Sequence, residues 1–148
     1  MHIPDTHDVV VTGGGCVSCL GMGEDTLRSA LQEQRSGLKK ITMVPPVVTK
    51  TQVGGQIDRT PFTAALRAAR IRYDEITMDA SALAAEEALQ QAGILQHHEA
   101  PRNIATIVGA GASSVERYFA ANETFFTKGA RWVRPTTVPR CMNNAIGA

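Results

Sequence analysis

The residues best suited to chemistry lie near the start of the chain, in residues 9–21, which read VVVTGGGCVSCLG. Three consecutive glycines follow a run of β-branched residues, and Cys16 and Cys19 stand in a CxxC spacing. Glycines that follow a strand can cradle a phosphate group. A CxxC pair can be a redox couple or half of a zinc site. A third interpretation is that both cysteines are small, buried packing residues.

The glycines do not complete a nucleotide-binding fingerprint. Gly13 and Gly15 fit G-x-G-x-x-G, but Ser18 stands at the third position. In the short-chain dehydrogenase pattern, Val17 and Cys19 replace required glycines, and the branched Val17 would collide with the cofactor phosphate. A P-loop needs Gly-Lys-Ser or Gly-Lys-Thr, which this stretch lacks. These departures argue against a nucleotide cradle.

The CxxC pair lacks the companions that metal or redox chemistry requires. A structural zinc site needs four ligands, yet the third cysteine is the distant Cys141, and His97 and His98 are adjacent rather than spaced as a ligand pair. A redox pair normally sits at a helix N-terminus, where the dipole lowers the thiol pKa. Here the helix is predicted to begin later. The pattern therefore favours the packing interpretation and predicts no metal ligand.

Length and composition fit one ordinary globular domain. The 148 residues are 43% hydrophobic and 20% charged, with a formal net charge of +1. A net charge this close to zero does not give the strongly positive surface that nucleic-acid binding requires. No apolar run is long enough to span a membrane. The start of the chain lacks a signal-peptide pattern, and three cysteines do not suit a secreted disulfide framework. We expect a reduced, cytoplasmic domain without nucleic-acid or membrane partners.

The hydrophobic pattern predicts strands that alternate with helices. Buried strands are predicted over residues 8–13 and 103–108, and a bulged or edge strand over residues 49–57. The predicted helices run from Glu24 to a left-handed cap at residues 35–37, over 61–73, over 79–92, from a Ser113 or Ser114 cap to about Lys128, and from 138 onward. This alternation predicts an α/β fold with a partly parallel sheet.

Several blocks of the chain, in order, resemble one known family. Residues 9–21 resemble V-V-[IV]-T-G-[LM]-G-x-V-[ST]-x-[LIV]-G, and residues 82–94, ALAAEEALQQAGI, resemble a helix that ends in A-L-x-D-A-G-[LI]. Residues 107–113 resemble I-[IV]-G-[ST]-G-x-G, and residues 133–139 resemble [VIS]-x-P-[FYT]-x-[VI]-[PT]. The whole resembles the β-ketoacyl synthases, condensing enzymes of the thiolase superfamily. The chain departs from these patterns at Gly14, Cys16, Cys19 and Ser113.

The resemblance implies the N-terminal half of a thiolase-like layered α/β fold, with a mixed sheet flanked by helices. Residues 1–148 would form one truncated, incomplete domain. The implied protein is a 3-oxoacyl-[acyl carrier protein] synthase of fatty-acid or polyketide synthesis. Its partners would be an acyl carrier protein and a second subunit, in a homodimer or heterodimer, and the resemblance implies no cofactor.

The family's catalytic groups do not match any residue of this chain. The family reaction is a decarboxylative Claisen condensation that uses a cysteine thiolate and two histidines. The nucleophile's [ST]-A-C-[AS] motif is absent, and Cys141 is followed by Met-Asn-Asn. The four histidines, at positions 2, 7, 97 and 98, lie outside blocks that match the family's histidine motifs. We therefore expect no catalytic residue here and no activity from this chain alone.

The resemblance also suggests binding residues, and each has a simpler structural alternative. Gly111 and Ala112 match an acyl-pocket turn, and Thr136 and Thr137 match a segment that reaches toward the partner's pocket; both segments could be ordinary loops. A set of arginines resembles the basic residues that receive acyl carrier protein, or could form a solvated helix face. These arginines are Arg67, Arg70 and Arg72.

Two further functions remain open at this stage. The chain could be a non-catalytic partner or remnant that docks on a complete synthase, or, less consistently with the glycine pattern, an NAD(P)-binding reductase. A half-fold would leave apolar faces uncovered, so the sequence predicts self-association or poor solubility.

Overall fold

The computed structural model describes residues 9–43, 50–72, 75–96, 104–111 and 114–142. The chain divides into two compact units. The first unit comprises Met1–Asp58 and Ala84–Ala100, and the second comprises Arg59–Leu83 and Pro101–Ala148. One helix, over residues 76–91, is therefore divided between them: residues 76–83 belong to the second unit and residues 84–91 to the first.

The described residues contain both helices and short strands. The helices are α1 (Glu24–Gln32), α2 (Arg59–Ala68), α3 (Ile76–Gln91), α4 (Val115–Lys128) and α5 (Thr137–Arg140), with 3₁₀ turns at Ile94–Gln96 and Ala130–Trp132. The strands are β1 (Val17–Ser18), β2 (Gly21–Met22), β3 (Leu38–Lys40) and β4 (Val53–Gly55). The α/β composition expected from the sequence is thus present.

The strands form two antiparallel pairs. In the first pair, Val17 of β1 lies opposite Met22 of β2. In the second, Lys39 of β3 lies opposite Gly54 of β4. In the described part of the predicted strand over residues 49–57, which is residues 50–57, only the three residues of β4 form a strand. The partly parallel sheet is not found in the portions of the chain that the structure describes.

The predictions of buried strands at residues 8–13 and 103–108 are wrong for their described parts. Residues 9–13 and 104–108 belong to no strand. Val9 is 99% exposed and Ile107 is 94% exposed. A β-branched run becomes a central strand only where neighbouring strands supply backbone partners and other elements cover both faces. Within the described residues, neither run pairs with a neighbouring strand and neither is covered on both faces.

The left-handed cap of α1 lies earlier than predicted. Gln34 has a φ of 53°, and the Arg35 N–H donates to the Ala30 carbonyl at 2.8 Å. The Gln34 N–H donates to the Leu31 carbonyl at 3.1 Å, which completes a Schellman motif. The predicted cap at residues 35–37 is therefore wrong. The carbonyls of Ala30 and Leu31 already accept hydrogen bonds from the N–H groups of Arg35 and Gln34, so the chain leaves the helix at Gln34.

Helix α3 begins three residues before its predicted start. The carboxylate of the buried Glu75 accepts hydrogen bonds from the N–H groups of Thr77 at 3.1 Å and Met78 at 3.4 Å. This side chain satisfies donors that the first helical turn leaves without partners. The helix ends at Gln91, and Gly93, with a φ of 72°, closes it as expected.

Ser114 connects α4 to α5 instead of capping α4. Its φ of 56° is left-handed, and its side chain makes no cap hydrogen bond. The buried hydroxyl donates to the Arg140 carbonyl at 2.8 Å. Helix α5 begins at Thr137 and contains Pro139 in its first turn, where a missing N–H is tolerated. Ser113 and residues 143–148 of the predicted last helix lie outside the described residues.

Candidate functional site

The glycine loop is held against the backbone of α3. A Cβ on Gly15 would overlap the Ala84 carbonyl oxygen, and a Cβ on Gly13 would overlap the Ala88 carbonyl oxygen. Gly14 differs, because its nearest neighbour would be a Glu24 carboxylate oxygen at 3.8 Å. Two of the three glycines therefore allow a close approach between backbones.

Two polar side chains of α3 bind the same loop and the start of α1. The Glu87 carboxylate accepts hydrogen bonds from the N–H of Cys16 at 3.0 Å and the N–H of Glu24 at 2.7 Å. The Gln91 side-chain oxygen accepts a hydrogen bond from the N–H of Gly14 at 2.8 Å. We call Glu87 and Gln91 the α3 clamp. The clamp satisfies loop and helix donors that would otherwise need water or a ligand.

The clamp also binds the side chain of Glu24. The Gln91 amide donates to the Glu24 carboxylate at 3.0 Å, and Arg28 forms an ion pair with the same group one turn along α1. The hydrogen bond from Gln91, followed by the Arg28 charge, lowers the pKa of Glu24 below its ordinary value. Two carboxylates, those of Glu24 and Glu87, therefore lie at the start of α1.

This arrangement argues against a phosphate site in the glycine loop. A dinucleotide pyrophosphate binds free N–H groups at a helix N-terminus, whereas the N–H of Glu24 is already bound to a carboxylate. An incoming phosphate would meet like charge from Glu87 and Glu24. The structure thus gives a reductase interpretation no support at this loop.

The two early cysteines lie in a packed environment. Cys16 and Cys19 are half-buried free thiols. The sulfur of Cys19 contacts Gly37 closely enough to overlap an added Cβ, and it would lie 3.0 Å from a Cβ on Gly55. Within the described ranges, no group of three or more His, Cys, Asp or Glu side chains could hold a metal ion. These contacts support the packing interpretation of Cys19.

A groove of about 380 Å³ in the second unit is the main candidate binding site. We call it the α4–α5 groove. Its walls are mostly apolar, with Thr137 and Asn122 as polar members. The lining residues are Tyr118, Ala121, Asn122, Phe125, Val133, Thr137, Val138, Cys141 and Met142.

Of the three predicted pocket residues that the structure describes, one lines this groove. Thr137 lines it, whereas Thr136 is exposed one residue before α5 and is not among the lining residues. Gly111 lies in an exposed bend, and Ala112 falls outside the described residues. Among the described residues, the structure therefore does not bring Gly111, Thr136 and Thr137 together in one pocket.

Sequence reasoning missed the aromatic wall of the groove. Tyr118, Ala121 and Phe125 follow the i, i+3, i+7 spacing of one helix face. That spacing was visible in the sequence, but it does not distinguish a groove wall from a packed core. Phe126 and Trp132, the neighbouring aromatic residues, are 80% and 59% exposed.

The three arginines of the predicted carrier-docking set are exposed in the second unit. Arg67 lies in the last turn of α2, Arg70 occupies its left-handed cap with a φ of 57°, and Arg72 follows two residues later. The cap forms because the Ile71 N–H donates to the Leu66 carbonyl at 2.9 Å. The end of α2 therefore carries a short basic segment.

Comparison with known proteins identifies the family of the chain. Residues 6–148 match the family model described as the N-terminal domain of β-ketoacyl synthase. The chain belongs to the β-ketoacyl synthase family. No helix among the described residues is both long and apolar enough to cross a membrane.

Two curated relatives show how far the similarity extends. The chain is 28% identical over 137 residues to nodulation protein E of Rhizobium sp. (strain N33), covering 93% of this chain and 34% of that protein. It is 26% identical over 137 residues to 3-oxoacyl-[acyl-carrier-protein] synthase 2 of Coxiella burnetii (strain RSA 493 / Nine Mile phase I), covering 92% and 33%. The β-ketoacyl synthase chain therefore spans about a third of the length of these relatives.

Proposed function

We propose that residues 1–148 form the N-terminal part of a thiolase-like condensing domain that makes 3-oxoacyl chains on an acyl carrier protein. The family match and the printed name of the Coxiella relative support this reaction class. In the reaction, a cysteine thiolate accepts an acyl group from its carrier thioester. A malonyl thioester then loses carbon dioxide, and its α-carbon attacks the acyl carbonyl, which forms the new C–C bond and releases the thiolate.

In this proposal the reacting groups lie outside the 148 residues. The sequence contains no [ST]-A-C-[AS] motif, and the curated relatives are about three times as long. The layered sheet of the family fold would be completed by the same additional residues. Completion would cover Val9, Val11 and Ile107, which are now almost fully exposed. The chain alone would not condense substrates.

The α4–α5 groove carries the proposal, because it can hold the apolar part of an acyl substrate. Each CH₂ group that an aliphatic chain buries in such a groove makes the binding free energy more favourable by about 0.8 kcal/mol. The aromatic side chains of Tyr118 and Phe125 and the aliphatic Val133 and Val138 provide such surface. Thr137 offers a hydroxyl beside it. We assign the acyl chain to this groove. Of the four residues that the resemblance suggested, this assignment uses Thr137 alone.

The carrier protein would bind at Arg67, Arg70 and Arg72. These arginines are exposed and lie in the same unit as the groove. That unit contains ten Lys and Arg against five Asp and Glu, a net charge of +5, which the chain total of +1 conceals. A positive unit attracts an acidic carrier and raises its association rate.

A matched pair of variants tests the groove assignment. The 148-residue chain is titrated with a fluorescent long-chain fatty acid, and the Kd is compared with those of Thr137→Phe and Thr136→Phe. Filling the groove at Thr137 should weaken binding about tenfold, which corresponds to about two buried CH₂ groups. The same substitution at Thr136, outside the lining, should change the Kd less than twofold. Equal effects of the two substitutions, or no binding by the native chain, would contradict the assignment.

The exposed apolar segments also favour a second candidate function, a non-catalytic partner that docks on a complete synthase. Val9 and Ile107 could be covered by another protein as readily as by further residues of the same chain. The intact mass of the protein from its natural source separates the two. A mass far above that of 148 residues supports the condensing domain, and a mass near it supports the docking partner.

A further inference from the structure

The two cysteines of the glycine loop lie at opposite ends of the first strand of a tight hairpin. Cys16 precedes β1, and Cys19 begins the two-residue turn between β1 and β2, since Ser18 pairs with Gly21. Three steps along an extended backbone cover about 10 Å, whereas the Cα atoms of a disulfide normally lie within about 7 Å of each other. The folded hairpin therefore keeps these two thiols apart, and both are free.

Both backbone groups of Cys16 help to hold the hairpin closed. Its carbonyl accepts a hydrogen bond from the Gly23 N–H at 2.8 Å, which continues the β1–β2 pairing by one residue. Its N–H donates to the Glu87 carboxylate at 3.0 Å, as part of the α3 clamp. Because the two Cα atoms are too far apart for a disulfide, Cys16 would have to leave these partners to reach Cys19.

The side chain of Cys19 packs the hairpin against the second strand pair. Its sulfur lies beside Gly37, which precedes β3, and beside Gly55, the last residue of β4. A Cβ on these glycines would come within 2.5 Å and 3.0 Å of the sulfur, so glycine is what admits it. A disulfide to Cys16 would withdraw the sulfur from both glycines and leave a gap between the two strand pairs.

We propose that Cys16 and Cys19 form a thiol–disulfide switch, in which the reduced pair permits the β1–β2 hairpin and a Cys16–Cys19 disulfide excludes it. The disulfide form would release Cys16 from the α3 clamp and Cys19 from the second strand pair. The proposed condensing reaction uses neither cysteine. Both are departures from the family patterns, so the switch would be a property of this chain.

The oxidant for this switch is a small-molecule disulfide, RSSR. The Cys16 thiolate attacks one sulfur of RSSR, forms the mixed disulfide Cys16–S–S–R and releases RS⁻. Cys16 reacts first, because the Cys19 sulfur is packed against two glycines. When the hairpin opens, the Cys19 thiolate attacks the Cys16 sulfur, forms the disulfide and releases a second RS⁻. The two thiols lose two electrons and two protons, and RSSR is reduced to two RSH.

The first test follows oxidation of the full 148-residue chain by oxidised glutathione. A Cys141→Ser background leaves only the two thiols of the hairpin. Mass spectrometry separates the mixed disulfide, which gains a glutathionyl group, from the closed disulfide, which loses two hydrogen atoms. We expect the mixed disulfide at Cys16 to accumulate in native buffer. Closure there should be at least about a hundredfold slower than in concentrated urea, because only the open hairpin can close the disulfide.

A matched pair of variants tests whether the α3 clamp restrains closure. Glu87→Ala removes the acceptor of the Cys16 N–H and should speed closure in native buffer about tenfold. Glu86→Ala changes the neighbouring residue of the same helix and should alter the rate less than about twofold. Equal effects of the two variants would contradict the restraint by the clamp.

Hydrogen exchange then measures what the disulfide does to the fold. In the closed form, the Gly23 amide should exchange at least about tenfold faster than in the reduced chain, because its bond to the Cys16 carbonyl is lost. The Gly129 amide, bonded to the Phe125 carbonyl in the other unit, should be unchanged. Dithiothreitol should restore slow exchange at Gly23, and a Cys16→Ser chain given the same oxidant should keep it.

Two results would overturn the switch. Closure that is equally fast in native buffer and in urea would mean that the hairpin does not separate the thiols. A closed disulfide in which Gly23 stays as protected as in the reduced chain would mean that the hairpin accommodates the bond. Neither result bears on the condensing reaction, which the titration of the α4–α5 groove tests separately.

Discussion

Gly14 and Gly15 are adjacent and chemically identical, yet the fold uses them differently. A Cβ on Gly15 would overlap the backbone of Ala84, which is part of a helix and cannot rotate away. At Gly14 the nearest atom is the end of the flexible Glu24 side chain, 3.8 Å from the added Cβ. The resemblance to the synthases fits this contrast, because those patterns have a larger apolar residue at the position of Gly14.

We predict opposite outcomes for the same substitution at these two glycines. Gly15→Ala should lower the free energy of unfolding by about 2–3 kcal/mol, because the loop or α3 must shift to admit the methyl group. Gly14→Ala should change it by less than about 0.5 kcal/mol. Urea unfolding followed by circular dichroism measures both. Equal losses would show that the glycines are needed for chain flexibility and not for a close approach to α3.

At the scale of elements, α3 organises the beginning of the chain through the α3 clamp. Glu87 binds the N–H groups of Cys16, which precedes the β1–β2 hairpin in the chain, and of Glu24, which follows it. A carboxylate that accepts two backbone N–H groups both satisfies the donors and complements the positive end of α1. One side chain thus fixes a hairpin and a helix start together.

Removal of this carboxylate should destabilise the protein more than removal of its neighbour. Glu87→Ala leaves two N–H groups without their partner and should cost about 2 kcal/mol of unfolding free energy. Glu87→Gln keeps one acceptor and should cost about half as much. Glu86→Ala is the control. Glu86 accepts a long hydrogen bond from the exposed Gln90 at 3.3 Å, so this substitution should change stability by less than about 0.5 kcal/mol. Thermal melts of the three variants compare them, and similar losses at Glu86 and Glu87 would refute the clamp.

The helices were more predictable from sequence than the strands or the clamp. Glu24 and Asp25 in the first turn of α1, and Gly93 after α3, are local signals that depend on a few adjacent residues. The runs at residues 9–11 and 104–108 have equally clear local patterns, but a central strand also requires partners from elsewhere. The bond between Glu87 and Cys16 joins residues 71 positions apart, and no local pattern contains that pairing.

The candidate site was predictable to a similar extent. The sequence block over residues 133–139 contains Val133, Thr137 and Val138, which line the α4–α5 groove, and its role in binding an acyl chain stays a prediction. The opposite wall, with Tyr118 and Phe125, has only the helical spacing that a core helix would also show. A second groove, lined by Phe62 and Leu66 of α2 and by Ile76 of α3, depends on how these side chains pack, and a single sequence does not specify that packing.

At the scale of the whole molecule, the two units carry opposite charge. The first contains five Lys and Arg against nine Asp and Glu, a net charge of −4, whereas the second has +5. A total of +1 therefore says little about association, since each unit presents its own field to a partner. The same molecule also exposes apolar segments that an ordinary globular domain would cover.

The exposed segment around Ile107 predicts concentration-dependent self-association of the 148-residue chain. Ile107 is 94% exposed, so burial of this side chain between copies is favourable by about 1.5–3 kcal/mol. Ile107→Glu should therefore weaken association at least tenfold in sedimentation velocity experiments, whereas Thr106→Glu, with the same added charge, should weaken it less. The thermal stability of the Ile107→Glu monomer should stay within about 0.5 kcal/mol of the native value, because so exposed a side chain contributes little to folding. A native chain that remains monomeric and melts cooperatively at every concentration would mean that these apolar segments need no cover, and the proposal that further residues complete the sheet would lose its structural support.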